Sequence, residues 1–299
     1  MIFSKLSSFR GDPFYQATIG HGLSSASHPE LVDKLYRAGF IVSERLKDAM
    51  LKVDRGRFIP PGIVLCPYLN EPVGIARSSN LSSRVFHSVS TPQFHAQQLS
   101  LIEENLGQGK VAIDVGTGTG YIAAVMAEMG CDAVVATEVD ERMFEIAEKN
   151  LKGYENVKVE YRKVGDNIFP GVLNYDAIVV SPVISSVDHV VSHLNADGLA
   201  SIALEKVAEH SQLCRVNRKD TGEVFVEKLM HVACEKMVTL EGVRQEESKF
   251  DVEAWLLEWS EKFTRTHGRK PTRLDIQNDP QARIMFEAFS SKRRYSPQM

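Results

Sequence analysis

Cysteine is scarce in this chain of 299 residues: there are four, far apart, and none forms a C-x-x-C pair. This spacing favours buried, reduced thiols inside the cell over a disulfide framework or a zinc site, so we predict no bound metal. No uninterrupted apolar stretch is long enough to span a bilayer. Charge of one sign is not in excess, because a formal net charge of −4 gives no overall attraction to nucleic acid or to a membrane. We therefore expect a soluble, cytoplasmic protein.

The chain divides by composition into three parts: a tail over residues 1–20, a folded domain over residues 21–247 and a helical extension over residues 248–299. The basic and serine residues near the N-terminus also fit a short mitochondrial presequence, although a frayed cytosolic terminus is our preferred interpretation.

Within the domain, strand-like and helix-like segments alternate. Residues 58–91 are punctuated by proline, glycine and serine and are expected to be irregular. The alternation predicts an α/β fold with a doubly wound, mostly parallel sheet, preceded by short N-terminal helices. The predicted helices are Pro29–Ala38, Ser43–Leu51, Phe94–Leu106, Tyr121–Met129 and Glu141–Leu151. The predicted strands are one beginning at Val111, then Asp132–Glu138, Val157–Val164, Tyr175–Ser181 and Leu199–Leu204, with a closing antiparallel hairpin within Val224–Leu240.

The most informative stretch is Val111-Ala-Ile-Asp-Val-Gly-Thr-Gly-Thr-Gly-Tyr121. An apolar strand ends in Asp114 and then breaks into Gly116, Gly118 and Gly120 before a helix begins. Glycines at such a turn remove every Cβ where a ligand would approach the backbone. Dinucleotide folds use G-x-G-x-x-G, whereas the D-x-G-x-G-x-G spacing here resembles motif I of the S-adenosylmethionine-dependent methyltransferases.

A second acidic residue, Glu138, lies at the end of the next predicted strand. In α/β nucleotide folds a carboxylate at this position accepts hydrogen bonds from ribose hydroxyls, and we assign Glu138 that role. Taken alone, Glu138 would be interpreted as a solvated strand end. The glycines upstream favour the cofactor site.

Four further segments indicate which family of methyltransferases the chain resembles. They are Ser27-His-Pro-Glu-Leu-Val-Asp-Lys-Leu, Met50-Leu-Lys-Val-Asp-Arg-Gly-Arg-Phe-Ile-Pro60, Pro67-Tyr-Leu and Val89-Ser-Thr-Pro-Gln-Phe-His-Ala96, in that order. Together with motif I they resemble the protein-L-isoaspartate O-methyltransferases over roughly residues 21–204.

The resemblance implies a seven-stranded Rossmann-like sheet and a monomeric protein-repair enzyme. It would methylate the α-carboxylate of L-isoaspartyl residues in damaged proteins and peptides, with S-adenosyl-L-methionine as cofactor and S-adenosyl-L-homocysteine as product. By the same match, Ser90 would donate a hydrogen bond to the reacting carboxylate, and His95 would orient this loop or the substrate. The implied cofactor residues are Asp114, Gly116, Thr117, Gly118, Gly120, Glu138, Val139, Gly165, Asp166 and Ser181.

Each of these residues also has a plainer interpretation. Ser90 is suited to a turn or a helix cap, and His95 on a helix is more often structural than functional. Asp166 fits a solvated loop nearly as well as a site near the adenine. Asp54 and Arg55 form either an exposed turn pair or a structural ion pair, and we favour the ion pair.

The chain departs from the family pattern near the expected substrate. Ser181-Pro-Val-Ile-Ser185 replaces a small-residue segment, Leu204-Glu-Lys-Val207 replaces a Pro-Val-Gly type of turn, and residues 74–85 form a longer segment. These differences motivate an alternative, in which the protein binds S-adenosylmethionine but serves as an adaptor or interaction protein.

The extension over residues 248–299 carries Trp255, Trp259 and Phe263 at helical spacing, followed by His267-Gly-Arg-Lys-Pro-Thr-Arg-Leu-Asp275. Its final helix is expected to hold Phe286 and Phe289 and to end in Lys292-Arg-Arg294. The pattern is similar to a short helical module near the N-termini of some RecQ-type helicases and replication-initiation proteins. Two interpretations remain open: a helical hairpin that packs on the catalytic domain, and a module that docks a protein or nucleic-acid partner.

Overall fold

A computed structural model describes residues 22–64, 66–77, 86–164, 166–170, 174–205, 211–232, 252–279 and 282. The chain divides into two compact units, Met1–Thr239 and Leu240–Met299. The domain boundary expected near residue 248 stays a prediction. Among the described helices, none has both the length and the apolar character needed to cross a membrane.

A seven-stranded sheet forms the framework of the first unit, with the strand order β5-β4-β3-β6-β7-β8-β9. The first five strands in this order pair in parallel, and β8 and β9 add two antiparallel pairings. The predicted α/β class and the seven-stranded, mostly parallel sheet are confirmed. The strands are β3 Val111–Val115, β4 Ala133–Glu138, β5 Val157–Tyr161, β6 Tyr175–Ile184, β7 Leu194–Glu205, β8 Ser211–Arg218 and β9 Val224–Val232.

The apolar sequence of β3 follows from its central place in the sheet. Parallel strands with helices on both faces are buried on both sides, so their residues need not alternate between apolar and polar. Ala112 packs into the core on one face, while Ile113 and Val115 pack into the core on the other. The first of these cores also contains residues of the N-terminal helices and of the helix Tyr121–Glu128, which begins directly after the glycine turn.

Four helices of this unit lie close to their predicted positions, and the short helix Asp188–Ser192 was not predicted. Ser43 caps α2 by accepting a hydrogen bond from the Leu46 amide at 3.1 Å, and Asp140 caps α5 by accepting one from the Met143 amide at 3.0 Å. The helices are α1 His28–Arg37, α2 Glu44–Lys52, α3 Pro92–Ser100, α4 Tyr121–Glu128, α5 Glu141–Leu151 and α6 Asp188–Ser192.

Three predictions of secondary structure were wrong. Residues 58–91 are not uniformly irregular, because β1 Val73–Arg77 and β2 Phe86–Val89 form an antiparallel pair. The closing antiparallel pairing begins earlier than expected, since β8 was not predicted and pairs with both β7 and β9. Residues 233–240 of the expected hairpin lie outside the described residues. The third helix ends at Ser100 and gives way to a short 3-10 helix over Glu103–Asn105, instead of continuing to Leu106.

The second unit contains α7 Val252–His267 and α8 Arg273–Asn278. Thr272 and Asp275 form a capping box at the start of α8, and Arg269 binds both carboxylate oxygens of Asp275 at 2.8 and 2.9 Å. The Trp259 indole donates a hydrogen bond to Asp279 at 2.9 Å. The expected final helix, with Phe286, Phe289 and the basic cluster at 292–294, and the Trp255 side chain lie outside the described residues.

Candidate functional site

The glycine turn joins the end of β3 to the start of α4, as predicted. Gly116, Gly118 and Gly120 have φ values of +71°, +59° and +92°, in the left-handed region that side chains rarely enter. The amides of Gly116 and Thr117 donate hydrogen bonds to the Thr137 carbonyl at 2.9 and 3.0 Å. These bonds fix the turn to the neighbouring strand β4.

The three glycines have different roles. A Cβ on Gly116 would lie 2.8 Å from the ring of Pro182, and a Cβ on Gly120 would lie 2.7 Å from a Leu151 methyl group. A Cβ on Gly118 would meet nothing within 4 Å. The first and third glycines therefore admit neighbouring parts of the protein, and Gly118 alone of the three faces open space where a ligand can approach the backbone.

Asp114 is fully buried at the end of β3, where its Oδ2 accepts a hydrogen bond from the Thr117 hydroxyl at 2.7 Å. Burial raises the pKa of Asp114 to about 7, and the hydrogen bond from Thr117 opposes this rise. A carboxyl group with this pKa can hold or release its proton near neutral pH. The bond to Thr117 in turn fixes the second residue of the turn.

Glu138 is buried at the end of β4 and meets the glycine turn directly. Its carboxylate accepts three backbone hydrogen bonds, from Gly118 at 2.9 Å, Val139 at 2.8 Å and Asp140 at 3.1 Å. Burial raises the pKa of Glu138, and the three backbone donors lower it. An ionised carboxylate has about four acceptor positions, so one more donor, such as a hydroxyl group, can still be accepted.

The same acidic loop is approached by β2. His87 on this strand has its Nε2 3.2 Å from Oδ2 of Asp140, and both side chains are largely buried. Asp140 also caps α5, so the contact joins β2 to the loop that carries Glu138. Ser90 follows His87 by three residues and lies, half-buried, between β2 and α3.

Ser90 is not the cap of α3. That role belongs to Thr91, whose hydroxyl accepts a hydrogen bond from the Phe94 amide at 3.1 Å. The interpretation of Ser90 as a cap is therefore wrong. Because α3 begins with the rigid pair Thr91-Pro92, the position of Ser90 is set by the strand on one side and the helix on the other.

His95 lies one turn into α3 and is buried. Its ring stacks on Tyr121, the first residue of α4, with 5.2 Å between the centroids and 29° between the planes. Its Nδ1 lies 3.4 Å from Nη1 of Arg55. Burial, and secondly the charge of Arg55, hold the pKa of His95 well below its ordinary value.

Arg55 begins a 3-10 helix over Arg55–Phe58 and is fully buried. It forms no ion pair with Asp54 within the described ranges, contrary to the favoured interpretation. Asp54 instead caps this short helix through the Gly56 amide at 2.8 Å and accepts a longer bond from the Tyr68 hydroxyl at 3.3 Å.

The remaining predicted residues lie in different surroundings. Ser181 is half-buried on β6, next to the Pro182 that packs on Gly116. Asp166 is exposed and accepts a hydrogen bond from the Lys163 amide at 2.9 Å, so its carboxylate closes its own turn. Gly165 lies outside the described residues. Cofactor roles for these residues and for the glycine turn stay predictions.

Sequence reasoning did not find His87, Tyr121 or the buried state of Arg55 as parts of this site. Arg55 and His95 are 40 positions apart in the sequence, and His87 and Asp140 are 53 positions apart. No short sequence pattern can therefore predict these two contacts. The one available signal was the proximity of His87 to Ser90 along the chain. Periodicity does not reveal the strand that carries His87, because β2 is only four residues long.

A doubly wound sheet with a ligand-accessible glycine turn after β3 and a buried carboxylate after β4 defines the class of α/β proteins that bind nucleoside-containing cofactors. Comparisons with known proteins define the family more closely. A family model described as protein-L-isoaspartate(D-aspartate) O-methyltransferase matches residues 26–242. The chain belongs to this family, and the resemblance seen in the sequence is confirmed.

Individual relatives agree with this assignment. The chain is 29% identical over 212 residues to the protein-L-isoaspartate O-methyltransferase of Methanosarcina mazei, covering 69% of this chain and 82% of that protein. The chain is 32% identical over 213 residues to the Ignicoccus hospitalis enzyme of the same name, and the match covers 68% of this chain and 93% of that protein. A crystal structure from Plasmodium falciparum, named for the same activity and containing S-adenosyl-L-homocysteine, superimposes with a TM-score of 0.60 at 25% identity, covering 72% of this chain and 99% of that one.

Proposed function

We propose that this protein transfers a methyl group from S-adenosyl-L-methionine to the α-carboxylate of L-isoaspartyl residues in damaged proteins. One observation carries the proposal: residues on both sides of Ser90 contact segments that adjoin the glycine turn. Upstream, His87 lies 3.2 Å from Asp140 in the acidic loop. Downstream, His95 stacks on Tyr121, which directly follows Gly120. We infer that these two contacts bring the Ser90 hydroxyl, which can orient a carboxylate, close to the glycine turn.

The described residues fit this cofactor. Gly118 leaves open space beside bare backbone, which lets the methionine portion of the cofactor approach the turn closely. Glu138 keeps one acceptor position for a ribose hydroxyl after its three backbone bonds. We assign both residues to cofactor binding, together with Asp114 and Thr117, which fix the turn. The exposed Asp166 and the β6 residue Ser181 are assigned to the outer part of the same site.

The reaction asks for alignment and not for proton removal. Bound S-adenosylmethionine supplies a methyl group on a positively charged sulfur; the carboxylate oxygen forms the new C–O bond, and the electron pair of the broken C–S bond stays on sulfur. A carboxylate is already ionised at neutral pH, since its ordinary pKa is about 4. Ser90 therefore acts as a hydrogen-bond donor that holds the oxygen in line, which can contribute several kcal/mol through orientation alone.

The test uses methyl-labelled cofactor and two peptides that differ only in an aspartyl or an isoaspartyl linkage. We expect a base-labile methyl ester on the isoaspartyl peptide alone. Ser90→Ala should lower the rate about 100-fold, as expected for loss of an aligned donor. Ser88→Ala, an exposed position on the same segment, serves as the matched control and should retain the wild-type rate.

The adaptor alternative predicts a different result from the same samples. The protein would bind S-adenosyl-L-homocysteine in calorimetry, yet no ester would form on either peptide. The substituted segment Ser181–Ser185 motivates this alternative, and it meets the cofactor turn through the contact of Pro182 with Gly116. Binding without ester formation would refute the proposed activity and leave the cofactor site intact.

We also propose that the protein acts as a cytoplasmic monomer. Cys66, Cys131 and Cys214 are free thiols, as expected in a reducing compartment. Light scattering after size-exclusion chromatography measures the mass, for which we expect the 33.4 kDa of one chain. Cell fractionation tests the location.

For residues 248–299 we propose docking of a protein or nucleic-acid partner. Leu274 is 64% exposed on α8, and Lys262, Arg265 and Lys270 are exposed nearby along the chain. Phosphate contacts made by such cations weaken as salt rises. Binding of a labelled oligonucleotide that is salt-sensitive and is lost on deleting residues 248–299 supports docking, whereas equal binding with and without these residues contradicts it.

A further inference from the structure

The buried guanidinium of Arg55 has unusual surroundings. Its Nε donates a hydrogen bond to the Pro67 carbonyl at 3.2 Å, and its Nη1 lies 3.4 Å from Nδ1 of His95. Its Nη2 is buried and has no hydrogen-bond partner within the described residues. Burial lowers the pKa of Arg55 to about 10, so the side chain is still charged at neutral pH. A buried cation thus points at one ring nitrogen of His95.

This contact determines which nitrogen of His95 carries a hydrogen. A guanidinium group has only donors and no acceptor. Nδ1 of His95 must therefore be the acceptor and must lack a hydrogen. An imidazolium ring, which carries hydrogens on both nitrogens, is incompatible with this bond, so the ring is neutral with its hydrogen on Nε2. The low pKa of His95 agrees with this neutral form.

We propose that Arg55 is a positioning residue that locks His95 in the neutral Nε2–H form, so that His95 donates a hydrogen bond at the substrate site and does not act as a general base. The inference rests on the proposed function for the role of that donor. It accounts for a buried cation in contact with a histidine that lies five residues after Ser90 in the sequence: the reacting carboxylate has no proton to give up, and a second donor would strengthen its alignment.

The first test reads the ring nitrogens directly, without reference to activity. In a long-range proton–nitrogen correlation spectrum of the full-length protein labelled at histidine, the His95 signals are identified by their loss in His95→Gln. We expect one bare nitrogen, Nδ1, and one protonated nitrogen, Nε2, unchanged across the neutral pH range. A hydrogen on Nδ1, or on both nitrogens, would overturn the proposal whether or not the protein methylates any peptide.

Two Arg variants test the cause. Arg55→Met removes the donor with little change of volume, and His95 should then show a mixture of the two neutral forms. Arg57→Met, two residues further on and exposed, is the matched control and should leave the His95 signals unchanged. A single Nε2–H form that persists in Arg55→Met would show that Arg55 does not select it. If Arg55→Met fails to fold, the wild-type spectrum and the kinetic test below still decide the proposal.

The second test separates a donor from a base. Glutamine at position 95 can place an amide N–H where Nε2 lies, whereas asparagine can accept from Arg55 but is too short to replace that donor. We expect His95→Gln to stay within about tenfold of the wild-type kcat, and His95→Asn to lose about 100-fold. A general base would make both variants fall together by about 10²–10⁴, and that result would overturn the donor role. Complete inactivity of the wild type would instead refute the proposed function and leave the spectroscopic result standing.

Discussion

Alanine at Gly116, Gly118 and Gly120 in turn should separate the glycines that the fold requires from the one that the ligand requires. All three have positive φ, and a side chain there costs about 1–2 kcal/mol. At Gly116 and Gly120 the new Cβ would also lie 2.8 Å from Pro182 and 2.7 Å from Leu151. Overpacking of this kind adds about 1–3 kcal/mol, so we expect these two variants to lose about 2–5 kcal/mol of unfolding free energy.

Gly118→Ala carries the backbone cost alone, because its Cβ meets nothing within 4 Å. We expect a loss of about 1–2 kcal/mol in stability, together with a large loss of affinity for S-adenosyl-L-homocysteine. Unfolding in urea is best followed by far-ultraviolet circular dichroism. Both tryptophans, Trp255 and Trp259, belong to the second unit, whereas the dichroism signal includes the strands and helices of the first.

Calorimetry on the three folded variants completes the comparison. The expected pattern is that Gly118→Ala is the most stable variant and a poor binder. If Gly118→Ala binds S-adenosyl-L-homocysteine as the wild type does, the open face at Gly118 is not the ligand-accessible part of the turn. If it is the least stable of the three, the packing argument for the other two glycines is wrong.

Three further substitutions test separate parts of the account. The pKa of Asp114 is about 7 in the folded protein and about 4 when unfolded, so the wild type loses stability as the pH rises from 4 to 7. Asp114→Asn has no carboxyl group to ionise and does not lose stability in this way. The unfolding free energy of Asp114→Asn, measured in urea relative to the wild type, should therefore rise by about 4 kcal/mol over this range. Glu138→Gln should weaken S-adenosyl-L-homocysteine binding at least about tenfold in calorimetry, while Glu145→Gln, exposed on α5, should not. Thr272→Ala removes a capping box and should lower the urea midpoint seen by tryptophan fluorescence.

The central strands and the glycine turn were predictable because their signals are local. Three apolar residues, Val111 to Ile113, lead into Asp114 and then into alternating glycines, and this pattern is compatible with few other structures. The same holds for Glu138, since the second strand and its helix follow at once. Helix ends were predicted to within a few residues, where caps such as Ser43 and Asp140 mark them.

The errors arose where structure depends on contacts distant in sequence. The strands β1 and β2 are short and lie outside the main sheet, so neither has a long apolar period. The strand β8 has polar residues at its start and end and is fixed by pairing with β7 and β9.

The candidate site likewise combines residues that a local pattern predicts with residues that only distant contacts bring together. Ser90 and His95 could be named from the family pattern, but their neighbours could not. The contact of His87 with Asp140 and that of Arg55 with His95 depend on how the N-terminal segments pack against the sheet. Burial also changed the interpretation of Arg55, which a sequence alone assigns to the surface or to an ion pair.

Repair of an isoaspartyl peptide is the most direct measurement of the central claim. The full-length protein is incubated with the peptide and S-adenosyl-L-methionine, and the isoaspartyl and aspartyl forms are separated by liquid chromatography over time. We expect the methyl ester to collapse to a succinimide, so that the isoaspartyl form declines and the aspartyl form appears only when the cofactor is present. A peptide mixture that stays unchanged while the protein binds S-adenosyl-L-homocysteine would contradict the account.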